Sequence, residues 1–155
     1  MAKPKRPADE NICVNRQARH NYFIDETYEA GIVLLGSEVK SLRDGKANLV
    51  DSYARIQKGE AFLINTHVSP YPGANQFNHE PTRTRKLLLH RREIERLTGK
   101  TKEKGLTLIP LRLYFKAGKA KVELGLARGK KLYDKRETLK RKMAQREVER
   151  SLKSR

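Results

Sequence analysis

The sequence predicts a mainly β protein: a small antiparallel barrel of five or six strands, with two or three short helices and a basic C-terminal tail. Three observations lead to this prediction. Several segments alternate apolar and polar residues, and tight turns ending in glycine join two pairs of them. The chain has 155 residues, of which 37% are hydrophobic, enough for one small core but not for two. Lysine and arginine are concentrated near the C-terminus.

The first long alternating segment covers residues 22–35 and is predicted to be a strand. One face of it carries four apolar side chains, namely Tyr28, Ala30, Ile32 and Leu34. Gly31 lies within the segment, where an isolated glycine indicates a bulge or bend. Ser37 then stands where it would cap a short helix, and Gly45 where it would end that helix.

Two hairpins supply most of the remaining predicted strands. The first turns at Lys58 and Gly59, and the second turns at Ala117 and Gly118. The apolar alternation of the second hairpin slips by one residue beside Pro110, which predicts a bulge or an edge there.

A long irregular stretch, residues 69–86, separates the two hairpins, and a loop of that length is usually functional or disordered. A helix is predicted after it, running to about Thr98 and stopped by Gly99. Because hairpins predominate in a strongly basic chain, the OB-type barrel is the predicted architecture, and an open α+β sheet is the alternative.

The charge of the chain indicates a polyanionic partner. Lys and Arg total 35 against 18 Asp and Glu, a formal charge of +17 with an isoelectric point near 10.2. Residues 128–155 alone hold twelve Lys or Arg and four acids. Blocks of like charge resist compaction and often bind nucleic acid, although a tail that serves only solubility is the alternative.

These patterns divide the chain into three parts. Residues 1–10 are expected to be disordered, because they offer nothing apolar to bury. Residues 11–128 are expected to form the RNA-binding domain. Residues 129–155 are expected to be a basic tail that is disordered when free and helical when docked on RNA, because a lone cationic helix is marginal in water.

The residues do not favour an enzyme. Cys13 lacks an orienting partner that would activate a thiol. The histidines are scattered without metal-ligand spacing, at positions 20, 67, 79 and 90, and the glycines form no phosphate-binding loop. We therefore expect no catalytic residue, no metal and no cofactor. With no secretory signal and no apolar run long enough to span a membrane, a cytoplasmic location is expected.

Aromatic residues beside charged ones support RNA as the partner, because unpaired bases stack on aromatic rings while cations neutralise phosphates. Four such groupings occur, around Tyr22, Tyr53, Tyr114 and Tyr133. Alternation also places Glu29 and Lys121 opposite the apolar faces of their strands, so both are expected to be exposed.

Several ordered strings in this sequence resemble the SmpB family, whose members bind transfer-messenger RNA in bacteria. The strings are EVKSLRDGKAN at 38–48, ARH at 18–20, DSY at 51–53, PTRTRKLLL at 81–89, GKK at 129–131 and DKR at 134–136. Together they cover the chain from about residue 12 to the tail.

The resemblance implies an OB-type barrel that binds the tRNA-like domain of transfer-messenger RNA and delivers it to stalled ribosomes for trans-translation. The tail would occupy the empty mRNA channel near the decoding centre, against ribosomal RNA. Chemistry would then belong to the ribosome and to alanyl-tRNA synthetase, and elongation factor Tu would be a partner through the alanylated RNA. A permanent ribosomal protein or an initiation-factor-like OB module is the alternative.

The same resemblance implies roles for individual residues. The expected RNA-binding residues are Arg19, His20, Glu29, Leu88 and Lys121. The expected ribosome-contacting tail residues are Lys130, Lys131, Tyr133, Asp134, Lys135 and Arg136. Lys121 would meet phosphate or a base edge, Leu88 an unstacked base or sugar, and Glu29 either a base amino group or a neighbouring arginine. Where Tyr133 stands, other members carry histidine, so a positive charge at that position is not available near neutral pH.

Overall fold

The mainly β antiparallel class is confirmed. The computed structural model describes residues 10–153, without the side chains at positions 10, 75, 76, 104 and 132–134. The strands of the described part are β1 Glu10–Val14, β2 Tyr22–Ile32, β3 Ala47–Asn48, β4 Tyr53–Gln57, β5 Glu60–Ile64, β6 His67–Val68, β7 Arg85–Leu88, β8 Thr107–Lys116 and β9 Lys119–Gly129. The helices there are α1 Ala18–Asn21, α2 Gly36–Arg43, α3 Arg91–Lys104 and α4 Leu132–Lys153, with a 3₁₀ helix at Pro72–Phe77.

Six strands form a closed ring of antiparallel pairings. The order is β8-β4-β5-β7-β2-β9, and β9 pairs back onto β8. Strands β4 and β1 share one edge of β8, where Ala54 lies opposite Leu108 and Val14 lies opposite Arg112. The ring therefore has six strands, the larger of the two numbers predicted from the sequence. Strands β1, β3 and β6 are additional.

The core lies inside this ring. Its members are aliphatic side chains with at most 7% of their surface exposed, supplied by all six ring strands, by α2 and α3, and by Leu49 and Val68. A second, smaller cluster lies on the opposite face of β8 and β9, beneath α1, and contains Ala18, Ile109, Leu111 and Ala127. Gly125 belongs beside it, because an added Cβ would come within 3.1 Å of Ile24 and 3.2 Å of Leu111.

Both expected hairpins are present. Lys58 and Gly59 have φ of 51° and 75°, and Ala117 and Gly118 have φ of 51° and 77°. Two consecutive positive φ angles are typical of type I′ turns, whose twist matches that of the flanking strands. The register also shifts between Pro110 and Arg112, which confirms the bulge expected there.

Three sequence-based details were wrong. The bulge of β2 lies at Asp25 and not at Gly31, because the pairing shifts between Ile24 and Glu26. Helix α2 is capped by the Glu38 carboxylate, which accepts the Leu35 N–H at 2.8 Å, and not by a serine. Helix α3 continues through the glycine expected to stop it and ends at Gly105, whose φ is +60°.

The same region held a further error, since Leu87 lies in β7 and not in a helix. The apolar spacing of residues 87–97 fits a helix by coincidence, because a buried strand and the buried face of a following helix are joined by only two residues.

A buried ion pair joins α2 to β7. The Glu38 carboxylate accepts hydrogen bonds from Arg85 and, at 2.6 Å, from Arg83; Glu38 and Arg85 are fully buried. Arg85 also donates to the carbonyl of Thr66 at 2.7 Å and to that of Pro81 at 3.1 Å. Burial favours a raised pKa for Glu38, but these donors outweigh it and the pKa is lowered, so the carboxylate remains charged.

The C-terminal segment is a helix, α4, in this structure. Its apolar side chains are exposed, with 48% of Leu139, 65% of Met143 and 67% of Leu152 accessible. The disorder expected for the free tail stays a prediction. Disorder was expected for residues 1–10. Residues 1–9 lie outside the described residues, and Glu10 is the first residue of β1.

Candidate nucleic-acid interface

A row of residues in register crosses the outer face of the barrel. Gly31 of β2 lies opposite Leu88 of β7 on one side and opposite Lys121 of β9 on the other, and Lys121 in turn lies opposite Tyr114 of β8. Directly paired residues point to the same face of a sheet. The structure therefore brings together Leu88, which is 54% exposed, and Lys121, which is half-buried.

Gly31 lies at the centre of this row and has no side chain, so nothing projects from the surface between Leu88 and Lys121. A Cβ at this position would lie 3.3 Å from the Cβ of Leu88. A side chain at this position would therefore press against Leu88, and such a close approach is one of the reasons that glycine occurs within strands.

Glu29 lies two residues before Gly31, on the same face of β2, and is held by two donors. The hydroxyl of Tyr114 donates to its Oε2 at 2.7 Å, and Nζ of Lys116 lies 3.2 Å from the same atom. These two hydrogen bonds lower the pKa of Glu29, the tyrosine having the larger effect. Glu29 is thus an exposed, ionised acceptor that a tyrosine and a lysine position, and its expected role toward a base amino group or a neighbouring arginine stays a prediction.

Arg112 is the residue of this face that sequence reasoning missed. Its guanidinium lies 4.0 Å from the centre of the Tyr114 ring. Its Nε donates to Glu123 at 2.7 Å, and its Nη1 donates to Asn11 at 2.8 Å. The Tyr114 ring is only 2% exposed, so it supports Glu29 from below and is not available for stacking on a base.

Arg19 and His20 lie on α1, outside that row. Ala18 anchors this short helix in the second apolar cluster, which leaves Arg19 exposed and His20 half-buried. The root of the tail is attached here, because the Lys130 N–H donates to the carbonyl of Asn21 at 2.9 Å and Nζ of Lys130 donates to the carbonyl of Arg19 at 2.8 Å.

A surface cleft of about 410 Å³ connects the row to α1. Its lining comes from β1 and the loop after it, from α1, from β8 and β9, and from α4: Asn11, Val14, Asn15, Arg16, Arg19, Leu111, Arg112, Glu123 and Lys142. Arg112 and Glu123 belong both to this cleft and to the network around Glu29. The outer face is therefore continuous from Leu88 to the tail helix.

The expected tail residues lie at and just before the start of α4. Lys131 and Arg136 are exposed and Lys135 is half-buried, while the side chains of Tyr133 and Asp134 lie outside the described residues. Lys130 is turned back toward the barrel, and its Nζ lies 2.9 Å from Thr138 Oγ1 as well as near Arg19. The structure therefore separates Lys130, which joins tail to body, from the more accessible cations that follow it.

Cys13 lies in β1, half-buried against the core. Burial raises the pKa of its thiol to about 11, so the reactive thiolate is scarce at neutral pH. Among the described residues, no three His, Cys, Asp or Glu side chains cluster closely enough to hold a metal ion. No helix within residues 10–153 combines the length and apolar character needed to cross a membrane.

A family model described as SmpB protein matches residues 12–154. The chain belongs to the SmpB family. The match spans the ring, the row from Leu88 to Tyr114, the tail helix and every residue of the cleft except Asn11.

Individual SmpB-family relatives are similar over nearly their whole length. An SsrA-binding protein of Geobacillus thermodenitrificans (strain NG80-2) is 64% identical over 144 residues, 93% of each chain. An SsrA-binding protein of Desulforudis audaxviator (strain MP104C) is 66% identical over 146 residues, covering 94% of this chain and 95% of that one. A solved structure described as "tmRNA-SmpB: a journey to the center of the bacterial ribosome" contains a chain that is 56% identical, with a TM-score of 0.65 over 77% of this chain and 85% of that one.

Proposed function

We propose that this protein binds the tRNA-like domain of transfer-messenger RNA and delivers it to stalled ribosomes in trans-translation. The observation that carries the proposal is the register that places Leu88, Gly31 and Lys121 side by side, with Glu29 fixed next to them. Its relatives are named SsrA-binding proteins, and its structural neighbour comes from a tmRNA–SmpB complex on the bacterial ribosome.

Three side chains have distinct roles in this proposal: Lys121 and Leu88 of the row, and Glu29 beside it. Lys121 neutralises a phosphate or donates to a base edge, while Leu88 packs against an unstacked base or a ribose. Glu29 accepts from a base amino group, a role supported by its two positioning donors and its lowered pKa. Arg19 and His20 extend the contact along α1.

The protein acts as an adaptor, and the chemistry of aminoacylation and peptide transfer takes place elsewhere. Alanylated RNA brings elongation factor Tu into the same complex, and the site of action is the cytoplasm, where ribosomes translate. A protein with this role needs no cofactor, because specific binding is its whole contribution.

The tail carries the ribosomal part of the function. Residues 129–155 pass into the empty mRNA channel beside the decoding centre, where Lys131, Lys135 and Arg136 meet ribosomal RNA together with Tyr133 and Asp134. The exposed cations at the start of α4 support that role, as does the lack of any fully buried side chain at positions 135–153. The tail is disordered in the free protein and becomes helical when it docks on RNA, because a lone cationic helix is marginal in water.

Competition between RNAs tests the RNA-binding part of the proposal. The purified protein is titrated with labelled tRNA-like domain in the presence of unlabelled transfer RNA or bulk RNA. We expect at least a tenfold preference for the tRNA-like domain. Equal competition by bulk RNA would leave only a generic polyanion binder.

A salt wash distinguishes an adaptor from a permanent ribosomal protein, the alternative that a basic OB-type barrel also fits. Ribosomes from cells that express the tagged protein are washed at high salt. An adaptor is released and recovered with one small structured RNA, whereas a permanent component stays with the ribosomal subunits.

A further inference from the structure

The cleft between the barrel and α4 concentrates positive charge. Three arginines and one lysine line it, from four different elements of the chain: Arg16, Arg19, Arg112 and Lys142. Of the described side chains that line the cleft, Glu123 is the one that carries a carboxylate, and it is already bonded to Arg112 at 2.7 Å. Among the described side chains, no acidic group lies within 4.0 Å of the charged nitrogens of Arg16, Arg19 or Lys142.

Such an arrangement is unfavourable without an anion. Cations that converge on one cleft repel one another, and the low-dielectric wall formed by Leu111 and Val14 screens them less than open water does. One anion placed between them would replace repulsion with attraction. A phosphate fits, because guanidinium groups bind its oxygens in a bidentate manner and lysine binds it as a point charge.

The barrel side of the cleft is rigid. Asn15 is fixed to β8 by two hydrogen bonds, from its backbone N–H to the carbonyl of Leu111 at 2.8 Å and from its side chain to the carbonyl of Pro110 at 3.0 Å. Arg16 follows immediately, and Arg112 is held by both Glu123 and Asn11. The tail side is different, because Lys142 is carried by a helix that is exposed along this stretch.

The cleft also continues the proposed RNA surface. Arg112 stacks on Tyr114, whose hydroxyl holds Glu29, so an RNA strand that passes from Glu29 across β9 reaches the cleft next. We propose that the cleft binds one backbone phosphate of the bound RNA between Arg16 and Arg19 on the barrel and Lys142 on α4. The phosphate thereby fastens the tail helix to the barrel. This inference rests on the proposed function, since the phosphate belongs to the same RNA.

The consequence is that RNA binding orders the tail. Without RNA, Lys130 ties the start of α4 to the barrel, and Lys142 is repelled by the arginines opposite it. With RNA, the phosphate closes the cleft, and the first three turns of α4 take a fixed direction from the barrel. The tail would then reach the ribosome pointing in a defined direction only when the adaptor carries its RNA.

Substitutions in the full-length protein test this inference. Arg16→Ala and Lys142→Ala are each compared for binding to the labelled tRNA-like domain from 50 to 200 mM salt. Each is expected to lower affinity about threefold to tenfold and to reduce the slope of log K against log salt by about 0.7 to 0.9, the value for one phosphate. Because both hold one phosphate, the double variant should lose less than the product of the two single losses.

Two control variants remove the same charge elsewhere. Lys140 lies two residues from Lys142 and therefore about 200° around the helix, and Arg55 is exposed on β4. Lys140→Ala and Arg55→Ala should each change affinity by less than twofold and leave the salt slope unaltered. If Lys140→Ala matches Lys142→Ala, or if the Arg16 and Lys142 effects multiply independently, the tail contributes only diffuse charge and the bridging phosphate is refuted.

Hydrogen exchange supplies a second measurement, because a diffuse effect of charge on affinity would not change amide protection in α4. Addition of the tRNA-like domain should slow amide exchange in the first turns of α4 in the wild type and in Lys140→Ala, but not in the Arg16→Ala/Lys142→Ala double variant. Equal protection in all three proteins would overturn the inference. The proposed function is judged separately, by whether the wild type prefers the tRNA-like domain to unstructured RNA; thermal midpoints confirm that each variant is folded.

Discussion

The hydroxyl of Tyr114 reaches across β9 to donate a hydrogen bond to Glu29 at 2.7 Å, although their two strands are not paired with each other. The ring of Tyr114 is buried while the carboxylate it holds is exposed. A buried donor therefore fixes the direction of an exposed acceptor, so that the carboxylate meets a partner without first losing rotational freedom.

Removal of this hydroxyl should weaken RNA binding without unfolding the protein. Tyr114→Phe keeps the buried ring and its contact with Arg112, and it removes the hydrogen bond to Glu29. We expect affinity for the tRNA-like domain to fall roughly threefold to tenfold, which corresponds to about 1 kcal/mol. Fluorescence anisotropy titrations measure the affinity.

Tyr28→Phe is the matched control. It also deletes a hydroxyl that donates to a glutamate, Glu26, on the same strand as Glu29. Its affinity for RNA should equal that of the wild type. If Tyr28→Phe weakens binding as much as Tyr114→Phe does, the effect comes from general loosening of β2 and not from Glu29.

Lys121 of the row and Glu29 beside it should contribute to RNA binding and not to the stability of the fold. Lys121→Ala combined with Glu29→Gln removes both charges, and the amide oxygen of glutamine still accepts from Tyr114. We expect affinity to fall by more than tenfold, while the free energy of unfolding changes by less than about 0.5 kcal/mol, as for other surface changes. Urea denaturation measures stability. A loss of several kcal/mol would indicate that these side chains belong to the packing of the barrel.

Lys102→Ala serves as the control for charge in that experiment, because Lys102 is exposed on α3. Affinity should change by less than twofold. An equal loss would show that any cation contributes.

Truncation after Met143 should separate RNA binding from activity on the ribosome. It retains Lys142 and the cleft, and it removes ten residues of α4, about 15 Å of helix. We expect unchanged affinity for the tRNA-like domain and loss of peptide tagging on stalled ribosomes in a reconstituted translation system. Normal tagging by the truncated protein would mean that the distal tail only improves solubility.

The buried ion pair should be sensitive to loss of one partner. Glu38→Gln leaves Arg85 buried without a counter-charge, and this should destabilise the protein by about 3 to 5 kcal/mol in urea denaturation. Glu95→Gln is the control, because Glu95 pairs with Arg91 on α3 where both side chains are mostly exposed, and its effect should be below about 0.5 kcal/mol. Similar losses in the two variants would contradict the special role of the buried pair.

Stability should fall in acid partly through Glu26. Hydrogen bonds from Lys100, Tyr28 and Arg96 lower the pKa of Glu26 to about 2, from an ordinary value of 4.5. A carboxylate whose pKa is lower in the folded protein stabilises the fold fully above its ordinary pKa, and this contribution disappears as the pH falls toward 2. The difference in urea midpoint between the wild type and Glu26→Gln should therefore shrink from pH 6 to pH 3. Parallel curves over that range would show that Glu26 makes no such contribution.

Features determined by adjacent residues were predictable from the sequence. The two hairpins follow from turn residues that accept positive φ, and the exposure of Glu29 follows from alternation along β2. The chain reversal at Gly105 was missed because Gly99 supplies the same local signal earlier, and packing of α3 through Leu97 overrides it. Local signals compete, and tertiary contacts decide between them.

Features that join distant segments were not predictable in this way. Glu38 has Lys40 as a near neighbour in the sequence, but it pairs with arginines 45 and 47 residues later, while Lys40 lies 5.4 Å from the centre of the Tyr71 ring. The importance of Leu88 came from resemblance alone, because an exposed leucine has no pattern of its own. Arg112 was missed because its partners lie on three strands.

The distance in sequence between Glu38 and its arginines has a consequence for folding during translation. During synthesis, the glutamate is added 45 and 47 residues before Arg83 and Arg85. Until they arrive, the carboxylate must stay hydrated, because burial without a counter-charge is costly. Helix α2 therefore docks late, and a nascent chain halted before Arg83 would remain half-assembled: an adaptor that releases arrested translation depends on its own translation running past that point.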